Sequence, residues 1–172
     1  MPSILETTDC LARTIWGEAR SCGAAGMRHV ACVVLNRASH PTWWGVSIES
    51  VCLQPYQFSC RNADDPNQAK LQAVTTKDPE FMVAMQIASA AVHGKLIDET
   101  GGADSYYAVS MQTPPAWATG AHRTFTDGWH NFYVTRPNAA PGVRPNQPNV
   151  SVHAVTADDL NDAELNTLGD AQ

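Results

Sequence analysis

The sequence predicts an α+β fold that is predominantly helical and carries a small β-hairpin or sheet. Three observations predict it. Apolar residues recur at steps of three and four through residues 11–22, 27–35 and 81–92, the helical period. Residues 105–109 and 131–135 are short runs rich in aromatic and β-branched side chains, with strand propensity. The chain has 172 residues, 44% hydrophobic and 16% charged, a length and composition suited to one buried core.

Thr7, Thr8 and Asp9 are N-cap candidates for a first helix that runs to about Arg20, where residues 21–26 break the pattern. Met27, Val30, Ala31, Val34 and Leu35 mark a core helix over residues 24–38, with a polar end at Asn36-Arg37 before His40-Pro41. Trp43, Trp44 and Gly45 form an aromatic loop. Residues 46–70 have weak periodicity, so short helices and loops of binding-surface composition are expected there. Asp78-Pro79 is a cap and first-turn pair for a helix that buries Phe81, Ala84, Met85, Ala88, Ala91 and Val92 and stops at Gly94. Gly101-Gly102 turns the chain into the first strand, and a hairpin across the Pro114-Pro115 loop would join it to the second. Residues 1–136 read as one domain. Residues 137–172 are proline-rich and acidic and read as an extended or partly disordered tail, with room for one short acidic helix at 158–168.

Formal net charge is −6, with 10 basic and 12 acidic side chains in residues 1–136 against one and five in the tail. A nearly neutral body without a Lys/Arg stripe argues against a nucleic-acid partner. No run approaches the ~20 apolar residues that span a bilayer. No basic start with an apolar centre marks a secretory signal. A monomer made in the cytoplasm, without membrane insertion, is therefore expected, and a pore, a lysis event or a virion would have to deliver it elsewhere. Cys10, Cys22, Cys32, Cys52 and Cys60 form no CxxC unit. No metal and no cofactor are expected, and the thiols read as free, with a Cys52–Cys60 bridge left open.

One residue breaks the apolar patterning. Leu11, Ile15, Glu18 and Cys22 stand four, three and four apart, so the first helix carries an acid on its apolar stripe, in its last turn beside a loop. An ionised carboxylate there costs free energy unless it is paired, or unless burial and the negative helix end favour the protonated form. A protonated carboxyl beside a cleft is what a general acid requires. A structural ion pair with Arg13, Arg20 or Arg28 is the competing reading.

The string Arg13-Thr14-Ile15-Trp16-Gly17-Glu18-Ala19-Arg20, with Gly26-Met27 and Val33-Val34-Leu35-Asn36-Arg37 after it, resembles the cell wall hydrolases of the spore-cortex-lytic-enzyme type. Cys52-Leu53-Gln54-Pro55-Tyr56-Gln57-Phe58-Ser59-Cys60 is similar to that family's second block. Gly101-Gly102-Ala103 with Tyr106 is similar to its third, and Gly128, His130, Phe132 and Tyr133 to its last, so the likeness spans roughly residues 11–135. It implies a lysozyme-like domain and a lytic transglycosylase that cuts peptidoglycan glycan strands between N-acetylmuramic acid and N-acetylglucosamine. Glu18 matches the catalytic acid. It would protonate the departing oxygen, then take the proton of the muramic C6 hydroxyl as a 1,6-anhydro ring closes. The resemblance also implies substrate contacts from Gln57, Phe58, Ser59, Tyr106 and His130. On a strand Tyr106 and Tyr107 face opposite sides, so one can meet sugar while the other packs. The chain departs from the family where an Asn-Pro commonly follows the tyrosines, having Ala108-Val109 instead.

Other readings use different residues. A hydrolytic muramidase needs a second carboxyl, ~5 Å away for retention or ~6.5 to 9.5 Å for inversion, and Asp64, Asp65, Asp104 and Asp127 lie in loops. A cysteine hydrolase would pair Cys22 or Cys60 with His93, His122 or His130. A wall-binding or virion structural module would keep the cleft without turnover. Trp16 would line the acid's pocket or the core, and Arg13 and Arg37 would meet substrate carboxylates or solvent. The whole pattern fits a phage lysis enzyme or a virion-carried hydrolase acting on the wall.

Overall fold

A computed structural model describes residues 2–41 and 43–136. The proline-rich tail and the helix expected at 158–168 lie outside the described residues. In chain order the elements are α1 (Ile4–Ala19), α2 (Gly23–Ser39), α3 (Ile48–Leu53), α4 (Gln68–Ala73), α5 (Pro79–Val92), β1 (Ser105–Ala108), β2 (His122–Thr126) and β3 (His130–Val134), with 3-10 turns at Arg20–Cys22, Ser59–Arg61 and Ala116–Ala118.

The first helix starts earlier than its sequence pattern indicates. Ser3 is the N-cap: its hydroxyl accepts from the Glu6 N–H, and the Glu6 carboxylate accepts from the Ser3 N–H. Two orphan donors are satisfied reciprocally, and Thr7, Thr8 and Asp9 become interior residues. The break expected over residues 21–26 shrinks to a single 3-10 turn, because Gly23 at φ 68 reverses the chain in one residue and opens α2. Asp78 caps α5 by accepting from the Phe81 N–H, with Pro79 in the first turn, and Gly94 at φ 71 ends it.

Helices α1, α2 and α5 pack on one another around Leu11, Ile15, Met27, Val30, Val34, Phe81, Ala84 and Ala88, all buried. Met85 and Val92, expected in this core, are only partly buried, and Ile87 takes a core place instead. Trp44 is buried and donates its indole N–H to the carbonyls of Arg37 and His40, whereas Trp43 is exposed.

The sheet is antiparallel with order β1-β3-β2. The two expected strands do pair, with Tyr106 opposite Phe132. The chain between them, however, contributes a third strand on the far side of β3, and a bulge between Arg123 and Phe125 interrupts its register. Its sequence, His122-Arg123-Thr124-Phe125-Thr126, is mostly exposed and lacks an apolar face, which is why it does not read as a strand. Val33, Ala103 and Phe132 form a small second core that seats the sheet on α2. The expected polar end of α2 is buried instead. Asn36 donates to the Ala103 carbonyl (2.9 Å) and Arg37 Nε to the Asp104 carbonyl (2.6 Å), so the last turn of α2 clamps the entry to β1.

Candidate active site

Glu18 sits in the last turn of α1, half-buried, one turn beyond Ile15, which is fully buried. Three donors converge on its carboxylate. Oε1 accepts from the Cys60 backbone N–H (3.0 Å) and from the Ser59 hydroxyl (3.3 Å), and Oε2 accepts from the Tyr106 hydroxyl (2.9 Å). Among the described residues Glu18 forms no ion pair. The arginines of the competing reading are engaged elsewhere: Arg13 with Asp9 and the carbonyl of Leu71, Arg28 with Glu99, and Arg20 over the Trp16 ring and on Asn67.

The local sequence explains how the donors arrive. Gly17 lets the 59–61 turn lie directly on α1, since a Cβ there would stand 2.7 Å from both Cβ and Sγ of Cys60. Arg61 ties the turn down by donating to the Cys10 carbonyl (2.6 Å) and to the Thr14 hydroxyl. On the opposite side, β1 presents Tyr106. Burial pushes its phenol well above the ordinary range, and the neighbouring Glu18 charge adds to this, so the hydroxyl stays a donor.

Tyr106 is backed by buried polar residues that the sequence reading partly missed. The His130 ring meets it edge-on at 5.2 Å, and Phe132 lies against it at 5.7 Å. Asp127 accepts from the His130 N–H (2.7 Å) and lies 2.9 Å from Nδ1 of His29. Burial alone would raise the Asp127 carboxyl, but His29 and the backbone N–H groups of His130 and Trp129 outweigh it and hold the group below its usual range. His29 carried no signal because it interrupts no pattern on α2.

Several expected roles change. Phe58 is 1% exposed and underlies the Arg37 guanidinium (5.2 Å), so it is a core residue and not a sugar contact. His130 is buried, with its ring edge-on to Tyr106. Tyr107 faces away from Tyr106, stacked on Tyr133 and against Trp117. Gln57 remains half-exposed on the 54–61 segment. Arg37 is buried and meets no solvent carboxylate; burial pushes its guanidinium down, while the charges of Asp104 and Glu18 are among those that oppose this. Trp16 packs in the core and donates to Asp78 (3.1 Å).

Other candidates are constrained as well, though Asp64 is exposed and Asp65 half-buried. Asp104 is fully buried, bonded to Thr135 and paired with Arg136 (3.1 Å), and Asp127 is held by His29, so neither is free to act as a second acid. All five cysteines are free, Cys52 and Cys60 included. Burial pushes the Cys60 thiol far up and the Cys22 thiol up, which leaves neither as an activated nucleophile. The Cys10 thiol is lowered to about 7 by a hydrogen bond from Cys52 and, further, by Arg61, but it lies two turns of α1 from Glu18. Among the described residues no three His, Cys, Asp or Glu side chains converge as metal ligands would, and no helix is long and apolar enough to cross a membrane.

A helical α+β domain with one carboxylate held between a helix-packed turn and a strand tyrosine defines a class. The chain belongs to the cell wall hydrolase family, whose model matches residues 22–133. Glu18 lies just before the matched segment, so its role is argued from geometry. The crystal structure of the catalytic domain of the Bacillus cereus SleB protein is similar in fold, with a TM-score of 0.57 at 23% identity, covering 74% of this chain and 89% of that one. No curated protein sequence matches the chain.

Proposed function

We propose that this cell wall hydrolase cleaves peptidoglycan glycan strands between N-acetylmuramic acid and N-acetylglucosamine as a lytic transglycosylase, with Glu18 as acid and then base. The observation that supports it most is the Glu18 carboxylate itself, partly exposed, held by Ser59, Cys60 and Tyr106 and unpaired with any arginine among the described residues. In the first step Glu18 gives its proton to the glycosidic oxygen as the bond from that oxygen to the muramic C1 breaks. The C6 hydroxyl oxygen of the same muramic residue then bonds to C1, and its proton passes to the Glu18 carboxylate. The acid is restored and no water is consumed. The three donors suit the first step, since they stabilise the carboxylate that appears as the proton leaves.

Burial takes two of the four candidate second carboxyls, Asp104 and Asp127, away from solvent, whereas Asp64 and Asp65 stay on the 62–65 turn; hydrolysis through either would leave reducing muramic ends instead of anhydro ends. Zymography in gels containing peptidoglycan tests the assignment. Wild type should clear the gel and Glu18→Gln should not; equal clearing by both would overturn it.

A further inference from the structure

Tyr56 is the residue whose conformation is hardest to explain by folding alone. Gln57 N–H donates to the Gln54 carbonyl (3.2 Å), which closes a four-residue turn with Pro55 and Tyr56 at its centre. Tyr56 has φ 63, the one non-glycine residue with positive φ among the described residues. Proline followed by a positive φ is the pattern of a type II turn, and the second central position of that turn is where glycine belongs. A bulky side chain there is strained. Burial does not compensate for it, because the side chain is 86% exposed.

The strained ring stands over a concavity. A cavity of about 380 Å³ is lined by Tyr56, Leu53 and Pro55 together with the polar residues Gln54, Asn62 and Asp64. Arg61 also lines it, and that guanidinium is bonded to Thr14, which is four residues before Glu18 on α1. Four residues of helix amount to about one turn, or about 5.4 Å of rise. Glu18 is not part of the lining, but Ser59 and Cys60, which hold it, directly precede Arg61, so one short stretch of chain serves both the cavity and the carboxylate. The 54–61 segment thus carries both the donors that hold Glu18 and most of the lining of this cavity. An aromatic face beside amide and carboxylate groups matches an N-acetylhexosamine, which offers an apolar ring face, hydroxyls and an acetamido group.

We propose that the Tyr56 cavity is a saccharide subsite that holds one amino sugar of the glycan strand beside the bond cut at Glu18, with Tyr56 stacking on its ring face; this rests on the reading of Glu18 given above. The strain at residue 56 keeps the ring presented to ligand, a site where local stability is traded for binding.

Tyr56→Gly relieves the strain and deletes the ring, so stability and binding should part company. The melting temperature should be at or above that of wild type, while binding of the Glu18→Gln protein to insoluble peptidoglycan, read by pelleting, should weaken about five- to tenfold when Tyr56→Gly is added. In the active enzyme KM should rise by a similar factor with kcat nearly unchanged, because Tyr56 touches no reacting atom. Tyr56→Trp should restore binding, and N-acetylglucosamine oligomers without stem peptides should compete for it. Equal pelleting with and without Tyr56, or competition by stem peptides alone, overturns the subsite. A wild type that releases no fragments from peptidoglycan, while pelleting still depends on Tyr56, overturns the proposed chemistry and leaves the subsite standing.

Discussion

At the scale of single residues, the proposed chemistry rests on how Glu18 is held. Tyr106 is its one side-chain partner from the sheet, at 2.9 Å, and its neutral phenol can only support the carboxylate by donating. A hydrogen bond to a charged group contributes about 1.5 to 3 kcal/mol, so Tyr106→Phe is expected to lower kcat about 10- to 100-fold. Steady-state release of soluble fragments measures this, and an unchanged kcat would remove Tyr106 from the site. That Glu18 stands out was legible in the sequence because an acid on an apolar stripe is anomalous, and Tyr106, which the structure bonds to it, stood out through a family motif. The Cys60 N–H was not, because a backbone donor leaves no trace in side-chain identity. Phe58 was misplaced for a related reason: its motif is intact, but its ring points into the core beneath Arg37.

Between elements, the critical contact is the 59–61 turn against α1. Gly17 makes it possible, and Gly17→Ala would drive a methyl group to 2.7 Å from the Cys60 side chain. Overpacking of this kind costs about 1 to 3 kcal/mol. Urea denaturation should show a loss of that size, and turnover should fall with it because the turn carries two of the three Glu18 donors. Full activity and stability in Gly17→Ala would mean that the turn does not need its close seat. The long helices were legible because their apolar period and the Asp78-Pro79 cap agree with each other. The start of α1 was misread because Thr7, Thr8 and Asp9 are equally good caps by type, and only the reciprocal Ser3–Glu6 bonds choose between them. Strand β2 escaped because it is stabilised by pairing with β3 and carries little apolar patterning of its own.

Across the whole molecule, the sheet is fastened to the helices by buried charged and polar groups, and this sets an acid limit. The Asp127 carboxyl is lowered in the fold relative to an unfolded value of about 3.9. Its contribution to stability is therefore present above about pH 4 and is lost as pH falls through the lower folded value. Thermal melts between neutral pH and pH 3 should show a steep loss at the acid end that is shallower in Asp127→Asn. The same slope in both proteins would mean that Asp127 does not link the sheet to α2. Whether Glu18 acts as the sole acid in the proposed cleavage is tested by mass spectrometry of the fragments released from purified peptidoglycan. Wild type should yield muramic ends in the 1,6-anhydro form, lighter by one water than reducing ends, and Glu18→Gln should yield none. Reducing ends from wild type, or anhydro ends from Glu18→Gln, would contradict it.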